Sequence, residues 1–382
     1  MSTVLDHAMA LMACPSVTPN DAGCQDYVAD VLQRCGWQVR RMRIDDTDNL
    51  WATLGDGSPV LAFAGHTDVV PPGPEGDWTS PPFAPEVRDG KLYGRGACDM
   101  KGAIAAFLAV CESLHKRDLR PDGTLAVLLT SDEEGTGRNG TRAALQRLWA
   151  DGVRIDGVLV GEPSASSQAG DTLRPGRRGS LSARITVPGR QGHVAYPEAA
   201  INPIHRAVPV LDELARTQWD QADDTFPATS LQIVWVEAGV PGGSGYADNV
   251  IAPELRTGIN FRFRPGSPAE TLQARVEDLF ERHGIDDAVF DWTLSAEPFV
   301  TTDPRLLGAA EGAVTDICGQ PPASSTAGGT SDGRFFAALG VPVVELGLPH
   351  GTAHAVDECV ALDDLDRLTL IYERLVRRYF GL

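Results

Sequence analysis

Three short apolar runs limit the fold of this chain more than any other feature of its sequence. They are "PVLAFAG" at 59–65, "TLAVLLT" at 124–130 and "IDGVLVG" at 155–161. Each run is continuous rather than alternating, which is typical of strands buried on both faces of a mostly parallel sheet. Helix-like stretches lie between them at 101–116 and 141–152. The alternation of strands and helices predicts an α/β fold with a mostly parallel sheet.

The pattern changes near residue 180. "LSARITV" at 181–187 alternates apolar and polar side chains, as a strand with one buried face does. From 180 to 292 the predicted order is β-α-β-β-α-β, a ferredoxin-like α+β arrangement with an antiparallel sheet. The α/β character then returns with "VPVVELG". We therefore predict a larger domain in two parts, residues 1–179 and 293–382, with a separate domain of residues 180–292 inserted into it.

Length and charge narrow the classes of protein that the chain can belong to. Its 382 residues are more than one hydrophobic core usually serves. A net charge of −19 argues against nucleic acid or an anionic membrane as a partner, because both require a basic surface. The charge does not exclude a small anionic ligand, since a pocket can be locally positive.

The cysteines and the apolar stretches indicate a cytoplasmic protein. The seven cysteines are scattered and form no Cys-x-x-Cys motif, which is typical of reduced thiols. The first residues, "MSTVLDHAMALM", lack the basic start of a signal peptide and predict a helix instead. No apolar run approaches the ~20 residues needed to span a bilayer. We expect a soluble protein of the cytoplasm.

Acidic and imidazole side chains follow the predicted strands. Ligands of open α/β sheets bind at the carboxyl ends of the strands. The side chains expected at that edge are His66, Asp68, Asp132, Glu133, Glu134 and Glu162, with Asp99 just before a predicted helix. Any one of them alone would be a solvated loop acid or a helix cap. Together they repel one another unless divalent cations compensate their charge, so the cluster predicts a metal site.

The number of these side chains suits a pair of cations. Two cations that share ligands need about five to seven donors, and a hydrolase also needs a free carboxylate as base. His66, Asp99, Glu134, Glu162 and one further histidine would supply the donors, which leaves Glu133 as the base. His350 and His354 lie four residues apart, and spacing alone leaves both open as the further ligand. Four other histidines fall in helical stretches, where a structural role is expected: His7, His115, His205 and His283.

Several motifs resemble a known family. In order and spacing, "GHTDVVP", "GRGACDMKG", "SDEEG" and "GEPS" are similar to the di-zinc metallopeptidase family of aminoacylases, carboxypeptidases and N-acyl-amino-acid deacylases. "GDTLRPGRRGSL", "GRQGHVAYP", "GGTSDGRF" and "HAVDECV" narrow the resemblance to one deacylase whose substrate carries three carboxylates. The resemblance covers essentially the whole chain. It implies two Zn²⁺ ions per subunit, with Co²⁺ able to substitute, and amide hydrolysis as the reaction.

The resemblance also implies a role for each metal ligand. His66 and Glu162 would bind one zinc ion, and Glu134 and His354 would bind the other. Asp99 would bridge the two ions, and the peptide bond that follows it would be cis.

Three further residues would take part in catalysis according to the same resemblance. Asp68 would orient His66, a common arrangement for a metal-bound imidazole. Glu133 would be the general base that takes a proton from the attacking water and returns it to the leaving amine. His193 of the partner subunit would stabilise the oxyanion. The inserted domain would thus be a dimerisation lid, and the enzyme a homodimer.

A substrate with three carboxylates needs cationic contacts. Guanidinium groups bind carboxylates through paired hydrogen bonds, and "GRRGS" supplies two of them. The positions that match substrate contacts of the family are Arg177, Ser180, Tyr196, Asn249, Arg262 and Thr330. The segment "AGGTSDG" offers free backbone N–H groups to an anion, but it has no lysine in the position of a nucleotide loop.

Three other functions are compatible with parts of the sequence. A different deacylase of the same family, such as an acetylornithine deacetylase, or a carboxypeptidase would share the metal ligands, but "GRRGS" and "TSDGRF" speak against it. A non-catalytic metal-binding protein would have lost the base, whereas Glu133 is present. An ATP-using ligase or kinase would need a phosphate loop.

Overall fold

The computed structural model describes residues 3–242 and 245–382. Its α-helices are α1 (Thr3–Met12), α2 (Cys24–Arg34), α3 (Lys101–Lys116), α4 (Thr141–Ala150), α5 (Pro203–Arg216), α6 (Ala269–Arg282), α7 (Pro304–Cys318), α8 (Gly333–Ala337) and α9 (Leu362–Phe380). Its strands are β1 (Gln38–Ile44), β2 (Thr47–Gly55), β3 (Val60–His66), β4 (Glu86–Arg88), β5 (Lys91–Tyr93), β6 (Thr124–Thr130), β7 (Gly157–Val160), β8 (Thr172–Leu173), β9 (Gly176–Arg177), β10 (Gly179–Pro188), β11 (Gly192–His193), β12 (Ser230–Ala238), β13 (Pro241–Gly242), β14 (Gly245–Tyr246), β15 (Val250–Ile251), β16 (Glu254–Phe263), β17 (Val289–Ala296), β18 (Phe299–Val300), β19 (Ala323–Ser324), β20 (Val343–Glu345) and β21 (Cys359–Ala361).

The chain divides into two compact units. The first unit contains the described residues up to Gly176, together with Val300–Ser325 and Ser331–Leu382. The second unit contains the described residues of Arg177–Phe299, together with Thr326–Thr330. The predicted inserted domain, 180–292, lies inside the longer segment of the second unit. Residues Thr326–Thr330 belong to the second unit although the sequence pattern assigned them to the larger domain.

A six-stranded sheet forms the centre of the first unit, in the order β1-β2-β6-β3-β7-β20. The neighbours β6, β3, β7 and β20 pair in parallel, as the apolar runs predict. β1 and β2 form an antiparallel hairpin that makes the sheet mixed. The pattern did not predict this hairpin, because β1 is the charged edge strand "QVRRMRI" and contains no apolar run.

Helices cover the central sheet of the first unit. All seven residues of β6 are buried, and α3 is apolar on most of its surface because it packs between the sheet and other helices. Phe63 of β3 stacks on Phe107 of α3 with ring centroids 4.4 Å apart. Local signals set the helix ends: α7 begins after Asp303, whose carboxylate accepts from Leu306 N, and ends at Gly319 with φ +75°.

The second unit contains a four-stranded antiparallel sheet in the order β12-β16-β10-β17. Along the chain its main elements follow one another as β10, α5, β12, β16, α6 and β17. The alternating side chains of β10 bury their apolar members against helices α5 and α6: Leu181, Ala183, Ile185 and Val187. Asn202 begins α5 by accepting hydrogen bonds from the backbone N–H groups of Ile204 and His205.

The parallel strands of the first unit place their carboxyl ends side by side. His66 is the last residue of β3, Thr130 ends β6, and Val160 ends β7. Because β6, β3 and β7 are neighbours, the residues that follow them converge at one edge of the sheet. Within the described part of the chain, no helix is both long enough and apolar enough to cross a membrane.

Candidate active site

Five predicted ligands converge at this edge of the first unit. His66 ends β3, Glu134 lies just after β6, and Glu162 lies just after β7. Asp99 precedes α3, and the peptide bond Asp99–Met100 is cis. His354 lies in the loop before β21. Their ligand atoms are close enough to hold metal ions in two groups that share one residue.

We call His66, Asp99 and Glu162 the inner group. The His66 Nε2 atom lies 3.2 Å from Asp99 Oδ1 and 3.6 Å from Glu162 Oε1. The His66 side chain is 1% exposed. One imidazole nitrogen and two carboxylates, all within 4.8 Å of one another, are ligands that suit a divalent transition metal.

We call Asp99, Glu134 and His354 the outer group. The His354 Nε2 atom lies 2.9 Å from Glu134 Oε1 and 3.3 Å from Asp99 Oδ2. Asp99 therefore presents Oδ1 to the inner histidine and Oδ2 to the outer one. A carboxylate in that position can bridge two cations. His354, unlike the inner histidine, is 51% exposed.

Burial and neighbouring acids shift the pKa values of two of these ligands. Burial, followed by the charge of Asp99, raises the pKa of Glu162 well above its usual range. Hydrogen bonds to Asp99 and Glu134 raise the pKa of His354 to about 10. In the absence of cations, protons thus offset part of the negative charge. The oxygen and nitrogen donors of the cluster fit divalent cations, which would supply the same compensation.

Glu133 lies beside both groups. One of its oxygens is within 4.8 Å of ligand atoms of His66 and Glu134. Burial raises the pKa of the Glu133 carboxyl to about 8; His66 opposes the shift, and the nearby carboxylate of Asp332 adds to it. A carboxyl group whose pKa lies near neutral pH is suited to general acid–base catalysis.

Asp68 contacts the site in two ways. His66 Nδ1 lies 2.9 Å from the backbone oxygen of Asp68, which can only accept, so Nε2 is left for a cation. His66 Nδ1 is farther, 3.7 Å, from the Asp68 carboxylate. That carboxylate instead accepts hydrogen bonds from the backbone N–H groups of Glu133 at 3.3 Å and Glu134 at 3.1 Å. The orienting role that the resemblance implies for Asp68 thus extends to the backbone of Glu133 and Glu134.

The three adjacent acids after β6 have different surroundings. Asp132 is buried and accepts hydrogen bonds from Thr136 N at 2.9 Å and Thr136 Oγ1 at 3.2 Å, so it stabilises the turn. Glu133 and Glu134 point to the metal-binding groups. The run of acids is therefore one turn-forming residue followed by two residues of the site.

Sequence reasoning missed three charged residues near the site. Asp332 is buried, and burial raises the pKa of its carboxyl to about 6. Arg95 and Glu358 form a buried ion pair between the loops that carry Asp99 and His354. All three residues lie in the motifs "GRGACDMKG", "GGTSDGRF" and "HAVDECV", but a local pattern does not reveal that a charged residue in a loop is buried.

One set of predicted substrate contacts lies near the start of the second unit. Ser180 of β10 and Arg262 of β16 are direct partners across the sheet. The Arg177 Nη1 atom donates to Ala327 O at 2.8 Å, in the segment that also contains Thr330. Burial and the nearby charge of Arg262 lower the pKa of Arg178. Arginine side chains and a hydroxyl group are thus brought together in this part of the second unit.

A second set lies around the strand pair β11–β15. His193 pairs with Val250 across the two strands. The backbone N–H of Tyr196 donates to His193 O at 2.9 Å, and the two rings meet edge to face with centroids 5.7 Å apart. The backbone oxygen of Asn249 accepts from Val194 N at 3.2 Å. His193, Tyr196 and Asn249 are therefore neighbours.

Three other histidines make contacts outside the metal-binding groups. The backbone N–H of His350 donates to Ala165 O at 3.1 Å in the loop that precedes His354. His7 Nδ1 lies 2.8 Å from the hydroxyl of Tyr27, and His283 Nε2 lies 2.7 Å from Glu213. Of the two histidines that spacing left open, the structure brings His354 to the acids.

The chain is similar to proteins of one family. The model of peptidase family M20/M25/M40 matches residues 62–378. The curated succinyl-diaminopimelate desuccinylase of Alkalilimnicola ehrlichii is 51% identical over 381 residues, which is 100% of both chains. The enzyme of the same name from Stenotrophomonas maltophilia is 50% identical over 378 residues, which is 99% of both chains.

Solved structures show the same fold. The M20 family metallo-carboxypeptidase Sso-CP2 of Sulfolobus solfataricus has a TM-score of 0.83 at 15% identity, with 100% of both chains covered. The YXEP protein of Bacillus subtilis, described as a dinuclear metal binding peptidase from the M20 family, has a TM-score of 0.73 at 15% identity, with 99% of this chain and 98% of that chain covered.

Proposed function

The chain belongs to peptidase family M20/M25/M40, and from this premise we propose that it removes succinate from N-succinyl-LL-2,6-diaminopimelate. The products are succinate and LL-diaminopimelate, a precursor of lysine and of the cell wall. The observation that carries the proposal is that two ligand groups that share Asp99 lie beside Glu133. The chain that presents them is 51% identical over 381 residues to a curated succinyl-diaminopimelate desuccinylase. The family resemblance inferred from the motifs is confirmed.

The proposed cofactors are two Zn²⁺ ions per subunit, for which Co²⁺ can substitute. His66 and Glu162 would hold one ion, Glu134 and His354 the other, and Asp99 would bridge them. When bound, the ions would polarise the amide carbonyl and lower the pKa of a coordinated water. The position of the five donors within two compact groups supports this assignment.

Glu133 is the proposed general base. Its carboxylate accepts a proton from the attacking water and later donates it to the nitrogen of the leaving amine, so the group returns to its starting state. Asp68 keeps the backbone of Glu133 in place through the hydrogen bond from Glu133 N to its carboxylate. The position of Glu133 beside the ligand atoms of His66 and Glu134 supports this role.

The proposed substrate contacts lie in the second unit. Arg177 and Arg262 would bind carboxylates of the substrate, with Ser180, Tyr196, Asn249 and Thr330 as further contacts. His193 of the partner subunit would stabilise the oxyanion, so the active form would be a homodimer assembled through the inserted domain. The exposed apolar side chains of the edge strand β12, Val234 and Val236, support pairing with another protein surface.

We place the enzyme in the cytoplasm. All seven cysteines are free thiols, which fits a reducing compartment.

Two substrates offered side by side test the proposal. Zinc-loaded protein should hydrolyse N-succinyl-LL-diaminopimelate and leave N-acetylornithine intact. Glu133→Gln should abolish turnover, whereas the exposed Glu75→Gln is the matched control and should keep it. Preference for the acetyl compound would overturn the substrate and the arginine contacts but not the metal site. Absence of turnover with two metals bound would overturn the proposed reaction.

A further inference from the structure

Arg95 and Glu358 form an ion pair that is almost completely buried. Arg95 Nη1 lies 2.8 Å from Glu358 Oε2, and the two side chains are 2% and 0% exposed. Burial of two charges is costly and is tolerated only when further hydrogen bonds satisfy both groups. The partners of this pair therefore reveal what it holds in place.

Glu358 binds the backbone of the loop that leads to Asp99. Its Oε2 accepts from Gly96 N at 2.9 Å. Its Oε1 accepts from Cys98 N at 3.0 Å and from Asp99 N at 3.2 Å. A single carboxylate thus fixes the backbone around Asp99 immediately before α3. The direction of the bridging carboxylate depends on that backbone.

Arg95 binds the backbone of the loop that carries His354. Its Nη1 donates to Ala355 O at 3.1 Å, and its Nη2 donates to His354 O at 3.4 Å. His354 has a φ of +62°, a left-handed conformation that is uncommon for residues other than glycine, because Cβ then lies close to a carbonyl oxygen of the backbone. Such a conformation persists only when surrounding contacts impose it. The two hydrogen bonds from the guanidinium group are contacts of that kind.

We propose that the Arg95–Glu358 pair is a positioning element that couples the Asp99 loop to the His354 loop and thereby sets the geometry of the outer group. Neither side chain is among the metal-binding groups, so the pair acts through the ligands. The inference about metal binding rests on the proposed function. The inference about the two loops does not.

The variants must separate the loss of the hydrogen bonds that position the two loops from the effect of leaving a buried charge without its partner. Loss of one partner alone would leave an uncompensated buried charge and could unfold the protein. The double variant Arg95→Met/Glu358→Gln removes both charges together. Arg95→Lys keeps the positive charge but cannot donate to Glu358 and to both carbonyls in one plane. Leu375→Ala, at a buried position in the second half of α9 and outside both loops, is the control for general loss of stability.

Amide hydrogen exchange of the metal-free protein tests the coupling itself. In the double variant, the amides of Gly96, Cys98 and Asp99 should exchange at least about tenfold faster, because an amide offers one uncharged oxygen where the Glu358 carboxylate offered two charged ones. The loop of residues 354–358 should become more mobile with them. Leu375→Ala should lower the free energy of unfolding of the whole protein. It should not make the amides of the two loops exchange faster than that general loss of stability explains. Unchanged exchange of the two loops in the double variant would overturn the inference.

Cobalt binding tests the consequence. The folded double variant and Arg95→Lys should bind Co²⁺ about 10- to 100-fold more weakly at one of the two sites, with an altered visible absorption spectrum. Leu375→Ala should keep the affinity and the spectrum of the natural protein. Natural affinity and spectrum in the double variant would overturn the inference. If the natural protein binds no cation at all, the proposed function fails, and hydrogen exchange still decides the coupling of the loops.

Discussion

The inner and outer groups are built from different kinds of structure. The inner group takes His66 and Glu162 from the ends of adjacent parallel strands, and its histidine is 1% exposed. The outer group takes His354 from a loop with positive φ, and this histidine is 51% exposed. Hydrogen bonds of the sheet hold the strands that lead to His66 and Glu162. Side-chain contacts hold the outer ligands, because Asp68 binds the backbone of Glu134 and Arg95 binds that of His354. Asp99 thus joins the inner group, which we call the rigid half of the site, to the outer group, which we call the braced half because side-chain contacts hold its ligands.

This difference has a consequence for cations. A site whose ligands are already fixed loses little conformational entropy on binding, so the inner site should bind more tightly and exchange more slowly. The outer site should be the first to lose its ion on dialysis against a chelator. The variants below separate the two halves, beginning with the residue that they share.

Asp99→Asn should have the largest effect, because it removes a ligand from both groups. An amide can offer only one oxygen, so it cannot bridge two cations. We expect hydrolysis to fall at least about 1,000-fold and the cation content to fall below two per subunit. Metal analysis and steady-state kinetics measure both. Asp122→Asn, which alters an exposed acid, should change neither. Full activity of Asp99→Asn would show that the two halves are independent.

His66→Ala and His354→Ala should separate the two groups by stability. In the metal-free protein, loss of the buried inner imidazole should lower the free energy of unfolding by about 1–3 kcal/mol. Loss of the half-exposed outer imidazole should lower it by less, because solvent screens the ion pairs of His354 with Asp99 and Glu134. Urea titrations at pH 7 measure the difference. Equal losses would contradict the assignment of a rigid half and a braced half.

The stability of the metal-free protein should depend on pH through Glu133, which lies beside His66 of the inner group and Glu134 of the outer group. Its folded-state pKa is raised from 4.5 to about 8, so the folded metal-free protein binds the proton more tightly than the unfolded chain. The stabilisation that this proton contributes is complete below pH 4.5 and is lost as pH rises through 8. Between these values the difference in unfolding free energy between the natural protein and Glu133→Gln should change by up to about 1.4 kcal/mol per pH unit. A constant difference across pH 5–8 would show that the Glu133 proton is not retained.

Asp357→Asn should have the smallest effect and should act on the outer group alone. The Asp357 carboxylate accepts from Thr79 N at 2.9 Å and from Thr79 Oγ1 at 2.6 Å, which ties down the loop that carries His354. We expect the weaker of the two cation affinities to fall about tenfold or less while the tighter one is unchanged. Calorimetric titration with Zn²⁺ resolves the two steps, and Asp77→Asn serves as the exposed control. Equal weakening of both steps would contradict the comparison.

The parts of the fold that were predictable are those with a local pattern. "PVLAFAG", "TLAVLLT" and "IDGVLVG" revealed the buried parallel strands because burial on both faces leaves a continuous apolar run. β1 was not predictable in that way, because its side chains are mostly exposed at the edge of the sheet. The segment Thr326–Thr330 joins the second unit through contacts distant in sequence, such as the hydrogen bond from Thr326 Oγ1 to Thr225 O.

The candidate site divides in the same way. The acids that follow the strands were predictable because the topology of an α/β sheet brings strand ends together. Spacing alone could not choose between His350 and His354. Only the resemblance favoured His354, and the loop conformation that presents it is visible only in three dimensions. Arg95 and Glu358 are 263 residues apart, so no local pattern connects them.

A zinc-soaked crystal with anomalous scattering data tests the central claim most directly. The account predicts two zinc peaks about 3.5–4 Å apart, with one oxygen of Asp99 about 2.0–2.2 Å from each. His66 and Glu162 should contact one peak, and Glu134 and His354 the other. A single peak, or two peaks that do not share Asp99, would contradict the account.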